Sequence, residues 1–392
     1  MKQIKKILMI SFGAPFSGPH TGGTKRFCEL VNYYQDNSKY DITLCSTDNS
    51  TDLPNNLKHI KLSSDTIISG FMPPTYYIYK QNKTLLNEIK MEYSYIIAFE
   101  ATIIFWLCLL NYKNLVMMVR KDLIAYKSIE MNSDNSKRIN KTIILNLYKI
   151  AERISLIKSR IIIVQCSYDR NQLIHRHRWF SFIFKDKIYV QINNINPNWI
   201  VNNSTCEVDI KINEPSNSLK ICYIGNFENE RKGYKLLLEA LELLQKHQFD
   251  LQIYFVGNGK NIEEIKEKYS TYKNYHFCGY VDNPIKILKT CNLLVVPSLA
   301  DSFPNTVMEG IYNGIPVIAS NVGGIPEIIN DEDAIFNPDV KSLYTKLLKI
   351  TDGDYLDILK NKQFERKNEL IFDWSEKIAY LIDEKMKDCK IC

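Results

Sequence analysis

Along this chain, short and fully apolar runs alternate with longer segments whose apolar positions recur every three or four residues. In the second half the alternation is regular. The runs "LKICYIG" (219–225), "LQIYFVG" (251–257), "YHFCGYV" (275–281), "NLLVVPS" (292–298) and "PVIAS" (316–320) predict buried strands. Between them, "KGYKLLLEALELLQKH" (232–247), "NIEEIKEKY" (261–269), "PIKILKTC" (284–291) and "PNTVMEGIYN" (304–313) predict helices. Single strands interleaved with helices imply a parallel sheet covered on both faces, with ligands held outside the carboxyl ends of its strands. The first half repeats the pattern less cleanly, with strands expected at "KKILMISFG" (5–13), "DITLCST" (41–47), "YSYIIAFE" (93–100), "NLVMMVR" (114–120) and "RIIIVQCS" (160–167). The stretch 193–218 has turn residues and no strong period, so the chain is expected to change domain there. We expect an α/β protein with doubly wound domains at 1–205 and 206–365, and a C-terminal amphipathic helix in 366–392. In that helix Trp374, Ile378, Leu381 and Ile382 form a stripe that needs a covering surface.

Two apolar runs could be taken for membrane segments. "MKQIKKILMISFGA" looks like a signal peptide, but its run is short and passes into a glycine-containing loop, as a first strand would. In "YSYIIAFEATIIFWLCLL" (93–110), Glu100 falls mid-run, where a bilayer would penalise it by about 3 kcal/mol. A strand followed by a buried helix fits better.

The length, 392 residues, agrees with two domains, and 45% hydrophobic with 24% charged residues is ordinary for a globular protein. Charge changes the picture more. The net is +6, but residues 111–160 alone carry +7 and residues 161–190 a further +3. An anionic partner for this region follows: a membrane surface, a phosphorylated lipid or an acidic glycan. Within it, "HRHRWFSFIFK" (175–185) reads either as an interfacial membrane patch or as a surface helix leading into a strand. The ten cysteines show no metal-ligand spacing and read as reduced thiols, consistent with a cytoplasmic protein. "CKIC" at 389–392 reads as a frayed tail rather than a redox pair or lipidation signal.

Candidate chemistry concentrates around "DSFPNTVMEG" (301–310). Pro304 at a first helical position has no N–H to lose, and Gly314 supplies a C-terminal stop. The free N–H groups at this helix's N-terminus face the sheet's carboxyl edge and suit a phosphate. Glu309 inside the helix can accept two ribose hydroxyls or be a solvated acid. Asp301 ahead of it can accept sugar hydroxyls or act as a cap. "GNFENERKGYK" (225–235) brings Asn226, Arg231 and Lys232 to a helix start, where cations oppose the helix dipole unless they serve an anion. Gly22-Gly23-Thr24 lies between the first strand and the first helix. "FVGNGK" (255–260) lacks the third glycine of a dinucleotide loop, so an NAD site is not expected.

The 38 residues "NLLVVPSLADSFPNTVMEGIYNGIPVIASNVGGIPEII" resemble the signature of retaining nucleotide-sugar glycosyltransferases of family 4, the glycosyl transferases group 1, which have the GT-B fold. Pro297-Ser298, Asp301 through Glu309, Gly314 through Ile318, and Gly323-Gly324 with Glu327 occur in the family's order. The resemblance implies two Rossmann-like domains facing each other across a cleft, with the last helix returning to the first domain. It implies Asp301 and Glu309 as catalytic residues. The donor would be bound by Gly22, Gly23, Asn226, Arg231, Lys232, Ser302, Phe303, Pro304, Asn305, Thr306 and Glu309. Tyr280 and Val281 would form a base-side loop, although Tyr280 is equally a core aromatic. No cofactor, metal or nucleic acid is implied. The expected partners are a nucleotide sugar, a UDP-sugar above others, a glycan or lipid-linked acceptor of bacterial surface polysaccharide synthesis, and anionic membrane touched through 111–190 on the inner face of the cell membrane. The chain departs from the family at Asp301, where Glu is usual, at Asn226, where Arg is usual, and in "MMVRKDLIAYK" (117–127), which offers Arg120, Lys121 and Asp122 but no His. These departures keep open a catalytically impaired GT-B scaffold subunit.

Overall fold

The computed structural model describes residues 4–18, 22–64, 73–90, 93–133, 138–196, 218–228, 230–247, 249–351 and 353–387. The chain divides into two compact units, Met1–Ile124 with Lys137–Ile192 and Trp374–Cys392, and Ala125–Ser136 with Asn193–Asp373. The expected change of domain at 205/206 and the Cys389/Cys392 tail lie outside the described residues.

The first unit holds β1 (Lys5–Ile10), β2 (Tyr40–Ser46), β3 (Lys58–Lys61), β4 (Tyr95–Ala98), β5 (Leu115–Val119), β6 (Ile161–Val164) and β7 (Ile188–Val190). All pair in parallel, in the order β3-β2-β1-β4-β5-β6-β7. The second unit holds β8 (Leu219–Ile224), β9 (Leu251–Val256), β10 (Tyr275–Gly279), β11 (Leu293–Val296), β12 (Val317–Ser320) and β13 (Ile335–Phe336), parallel in the order β10-β9-β8-β11-β12-β13. The helices of the first half are α1 (Gly22–Asp36), α2 (Pro74–Ile89), α3 (Ala101–Leu109), α4 (Leu123–Ser133), α5 (Arg138–Lys158), α6 (Ser167–Arg176) and α7 (Ser181–Phe184). Those of the second are α8 (Tyr234–Gln245), α9 (Ile262–Lys268), α10 (Pro284–Leu288), α11 (Asn305–Tyr312), α12 (Ile325–Ile329), α13 (Val340–Ile350) and α14 (Gly353–Glu369), and α15 (Trp374–Lys387) closes the chain.

Both sheets are doubly wound, as the interleaved pattern predicts. Strand order reverses between β1 and β4 in one sheet and between β8 and β11 in the other. A crevice opens at each such switch point, because neighbouring connections leave toward opposite faces. The central strands are buried on both sides, which is why they read as unbroken apolar runs: Ile7 to Ile10 and Leu293 to Val295 expose nothing. The run 93–110 resolves into β4 and the buried α3, with Glu100 at the helix's N-cap. Among the described residues, no helix is long and apolar enough to cross a membrane. The pattern does not announce β3, β7 and β13. They are short edge strands, and "KHIK" in β3 carries too little apolar surface to register.

The final helix belongs to the first unit. Trp374 is fully buried, with the guanidinium of Arg26 at 5.2 Å and that of Arg120 at 5.3 Å from its ring centre. Burial lowers the pKa of Arg26 to about 10 and of Arg120 to about 9, so both stay charged at neutral pH. Arg26 also pairs with Glu29 at 2.9 Å. Farther along, Asp383 accepts the hydroxyls of Tyr40 (2.9 Å) and Tyr95 (3.3 Å) and pairs with Lys5 (2.6 Å). Ile378 and Ile382 are buried beside these contacts, whereas Leu381 is half-buried and lies at the stripe's margin.

Trp374→Ala should cost about 3–5 kcal/mol, since it removes a large core side chain and uncovers two desolvated cations. Urea unfolding followed by tyrosine fluorescence should show the first unit's transition at lower urea; an unshifted transition would mean α15 adds nothing to that unit.

Candidate functional site

The second unit's switch point brings the two sequence motifs together. The segment after β8 ends in the 3-10 turn Glu230–Lys232, and the segment after β11 carries Pro297 to Asp301. The two are laced side to side. Leu299 N–H donates to the Arg231 carbonyl (2.7 Å), and Arg231 Nη1 donates to the Ala300 carbonyl (2.9 Å). Asp301 Oδ2 accepts from both Lys232 Nζ (2.7 Å) and Arg231 Nη1 (3.1 Å). Its side chain is only 10% exposed. Burial alone would raise the Asp301 pKa, but the charges of Lys232 and Arg231 outweigh it and hold the carboxyl below its ordinary value.

Two glycines permit this packing. Gly233 has φ +70°, and a Cβ there would lie 1.7 Å from the Pro297 carbonyl oxygen. Gly323 has φ +55°, and a Cβ would lie 1.6 Å from the Asp301 carbonyl oxygen. The Asp301 loop is therefore gripped from both sides, and Gly324 N–H donates to the Ser302 carbonyl (2.7 Å) below it. Gly233 also sets where α8 begins. The expected helix start at 232 moves to Tyr234, with Gly233 as N-cap, so Lys232 sits in the preceding turn rather than in the helix.

The phosphate-suited helix start is α11. Pro304 is its N-cap, one position earlier than expected, with Asn305 and Thr306 in the first turn and half-buried. Ser302 and Phe303 are buried, so Phe303 can offer a ligand its backbone but not its ring. Glu309 is half-buried in the middle of α11, whose opposite side packs Val307, Met308 and Ile311 into the core. Gly314, at φ +71°, follows the helix as its stop.

The remaining expected residues have the following surroundings. Asn226 is exposed, and its Oδ1 accepts from Glu228 N–H, so it closes a local turn. Tyr280 is 75% exposed and not a core aromatic, and Val281 beside it is half-buried. Gly22-Gly23-Thr24 do not form a loop but are the first turn of α1 in the first unit. In that unit Arg120 is committed to Trp374, Asp122 pairs with Arg176, and half-exposed Lys121 lies 3.6 Å from Glu100.

Two participants were not anticipated. Tyr126, of the segment grouped with the second unit, lies under Arg231, its ring centre 4.4 Å from the guanidinium carbon and its hydroxyl 3.1 Å from Nη1. Nothing in "DLIAYK" signals this, because the partners are 105 positions apart. In the first unit, buried Asp48 accepts the backbone N–H of Phe16 and Ser17 at 2.9 Å each and the Ser46 hydroxyl at 2.8 Å. It thereby shapes the loop leaving β1.

Residues 218–352 match the model of the family Glycosyl transferases group 1. The O-antigen biosynthesis glycosyltransferase WclY of Escherichia coli is 25% identical over 178 residues, 44% of this chain and 48% of that protein. The match spans less than half the length of the curated relatives. Two solved structures superpose on nearly the whole chain. Sucrose-phosphate synthase from Thermosynechococcus elongatus has a TM-score of 0.73 at 17% identity, covering 97% of this chain and 98% of that one. Anabaena HepE, solved in complex with UDP and glucose, has a TM-score of 0.68 at 12% identity, covering 97% and 99%. Two doubly wound α/β domains with a returning C-terminal helix define the GT-B fold, and this chain has it.

The ion triad makes a pH-dependent contribution to stability. The Asp301 pKa is depressed on folding, so its contribution is complete above the unfolded value of about 4 and is lost as pH falls through the folded value. The stability gap between the protein and Asp301→Asn should thus be constant from neutral pH down to about 5 and narrow below about 4. Guanidinium titrations across that range check this; a gap that widened on acidification would reverse the assignment.

Proposed function

We propose that the protein is a retaining glycosyltransferase. It moves a sugar from a nucleoside-diphosphate sugar, a UDP-sugar above others, to a glycan or lipid-linked acceptor in surface polysaccharide synthesis. The observation that carries this reading is the pairing of Arg231 and Lys232 with Asp301 at a switch point, beside the open N-terminus of α11. The family match and the O-antigen name of WclY support the class, and the UDP and glucose held by HepE support the donor.

In this reading the donor diphosphate lies across Arg231, Lys232 and the first turn of α11. Negative charge builds on the departing phosphate as the bond to the anomeric carbon breaks, and preorganised cations stabilise it there. As the diphosphate takes over the two cations, the Asp301 carboxylate becomes available to sugar hydroxyls. Glu309 accepts the ribose hydroxyls. The acceptor oxygen bonds to the anomeric carbon on the face the phosphate leaves, and its proton passes to the departing phosphate oxygen. Tyr280 with Val281 flanks the base. The enzyme would work at the cytoplasmic face of the cell membrane, touching it peripherally through 111–190.

Three variants separate the roles. Lys232→Ala and Arg231→Ala should each weaken nucleoside diphosphate by about 1.5–3 kcal/mol in calorimetry while sparing the nucleoside; equal losses for both ligands would remove the side chains from the diphosphate. Asp301→Asn should act with opposite signs. Diphosphate should bind about fivefold more tightly, because a competing anion is gone, while transfer is lost. Glu309→Ala should abolish transfer with circular dichroism unchanged; near-normal turnover at saturating donor would exclude it from the site. Tight donor binding with no hydrolysis or transfer in the unaltered protein would point to the impaired subunit.

A further inference from the structure

Among the described residues, the most exposed large aromatic side chains outside the donor site cluster at the turn between α6 and β7. Trp179 is 77% and Phe182 71% exposed, and Phe180 and Ile183 beside them are also exposed. Phe184 is fully buried and roots the turn, so the outward side chains are presented by a fixed backbone. The neighbouring α5 shows a matching stripe. Ile143, Leu147 and Ile150 are exposed at helical spacing along one face. The two features join where the Arg153 guanidinium lies 4.6 Å from the Phe180 ring centre.

Isolated exposed apolar residues need no explanation, but a cluster on two adjoining elements does. Its charge identifies the occupant. Residues 175–185 contain Arg176, Arg178 and Lys185 and no acid. The only acid of α5 is Glu152, which is buried and already shared by Arg176 and His177 at 2.9 and 2.8 Å. Arg178 lies 5.1 Å from the Trp179 ring centre, so cation and aromatic face solvent together. A second copy of the chain would set this basic face against its own like charge. An anionic bilayer satisfies both demands: indole and phenyl rings sit at the headgroup boundary, and arginine and lysine meet lipid phosphates.

We infer that the turn 178–183 and the outer stripe of α5 form a docking face for an anionic lipid bilayer, with Trp179 and Phe182 as its inserting side chains. This deepens the lipid-linked acceptor reading above and rests on it for its purpose, though not for its measurement.

The full-length protein should co-sediment with vesicles of equimolar phosphatidylglycerol and phosphatidylcholine and much less with phosphatidylcholine alone. Each arginine or lysine brought to the surface contributes about fivefold at low salt. In a Trp199→Phe background, emission of Trp179 should shift to the blue on binding, since Trp106 and Trp374 are already buried. Trp179→Ser combined with Phe182→Ser should weaken partition about tenfold or more, with circular dichroism and diphosphate binding unchanged. Arg178→Glu with Lys185→Glu should abolish the preference for anionic lipid. Undiminished partition of the Trp179/Phe182 variant would overturn the proposal. So would the absence of vesicle binding, and so would a dimer in sedimentation equilibrium that the same substitutions dissociate. Transfer to a soluble glycan without vesicle binding would sink the docking face alone. Vesicle binding without any affinity for nucleoside diphosphate would sink the transferase reading alone.

Discussion

One carboxylate oxygen shared by two cations organises the second unit's carboxyl edge. Asp301 is nearly buried, and a buried charge is costly unless paired and hydrogen-bonded. Lys232 and Arg231 supply that pairing from a different loop, so the loops after β8 and β11 cannot move independently. The backbone repeats the constraint through Leu299 and Arg231, and Gly233 and Gly323 remove the Cβ atoms that would forbid it. Ser320 Oγ, donating to the Ser298 carbonyl, extends the lacing to β12. A site for a doubly charged leaving group needs such rigidity, because donors that must reorganise as charge develops stabilise it less.

Arginine on aromatic rings is the second recurring device. Arg231 lies on Tyr126, Arg26 and Arg120 on Trp374, Arg153 on Phe180 and Arg178 beside Trp179. The chain has more basic than acidic residues and 24 tyrosines, so rings take the place of carboxylates as partners for many cations. The consequence depends on burial. Around Trp374 the stack is closed and fastens the last helix to the first sheet. At Arg231 the charge is partly accessible and retains its pull on an anion. At Arg178 it is open to solvent, where a lipid phosphate can reach it.

The sequence showed the parallel sheets and the position of the 301–327 motif because both are local signals. Apolar runs marked the central strands, and Asp301 through Glu309 with Gly314 and Gly323 fell in one continuous stretch. What was not legible depends on contacts distant in sequence. Tyr126 stands 105 positions from Arg231, and no local pattern links them. Gly233 moved a helix start because its left-handed backbone is demanded by Pro297, which the local period does not contain. Tyr280 looks apolar on a strand pattern, yet the strand stops at Gly279 and leaves it in solvent. The edge strands β3, β7 and β13 have too few residues to establish a period.

The exchange of Glu for Asp at 301 is best understood through this geometry. The backbone of the 301–302 segment is fixed, with Gly323 pressed against the Asp301 carbonyl and Gly324 bonded to that of Ser302. From that position an aspartate reaches both Lys232 at 2.7 Å and Arg231 at 3.1 Å with one oxygen. A side chain one methylene longer would have to fold back to do so, at a cost in rotamer energy and entropy. Asn226 is spent on its own turn, where its Oδ1 accepts from the Glu228 N–H. Asp301 and Asn226 thus depart from the usual pattern, while Arg231 and Lys232 keep to it. The shorter acid holds both cations, and the loop without an arginine closes on itself. The acid, both cations and both packing glycines form one interlocked unit, in which each fixes the position of the others.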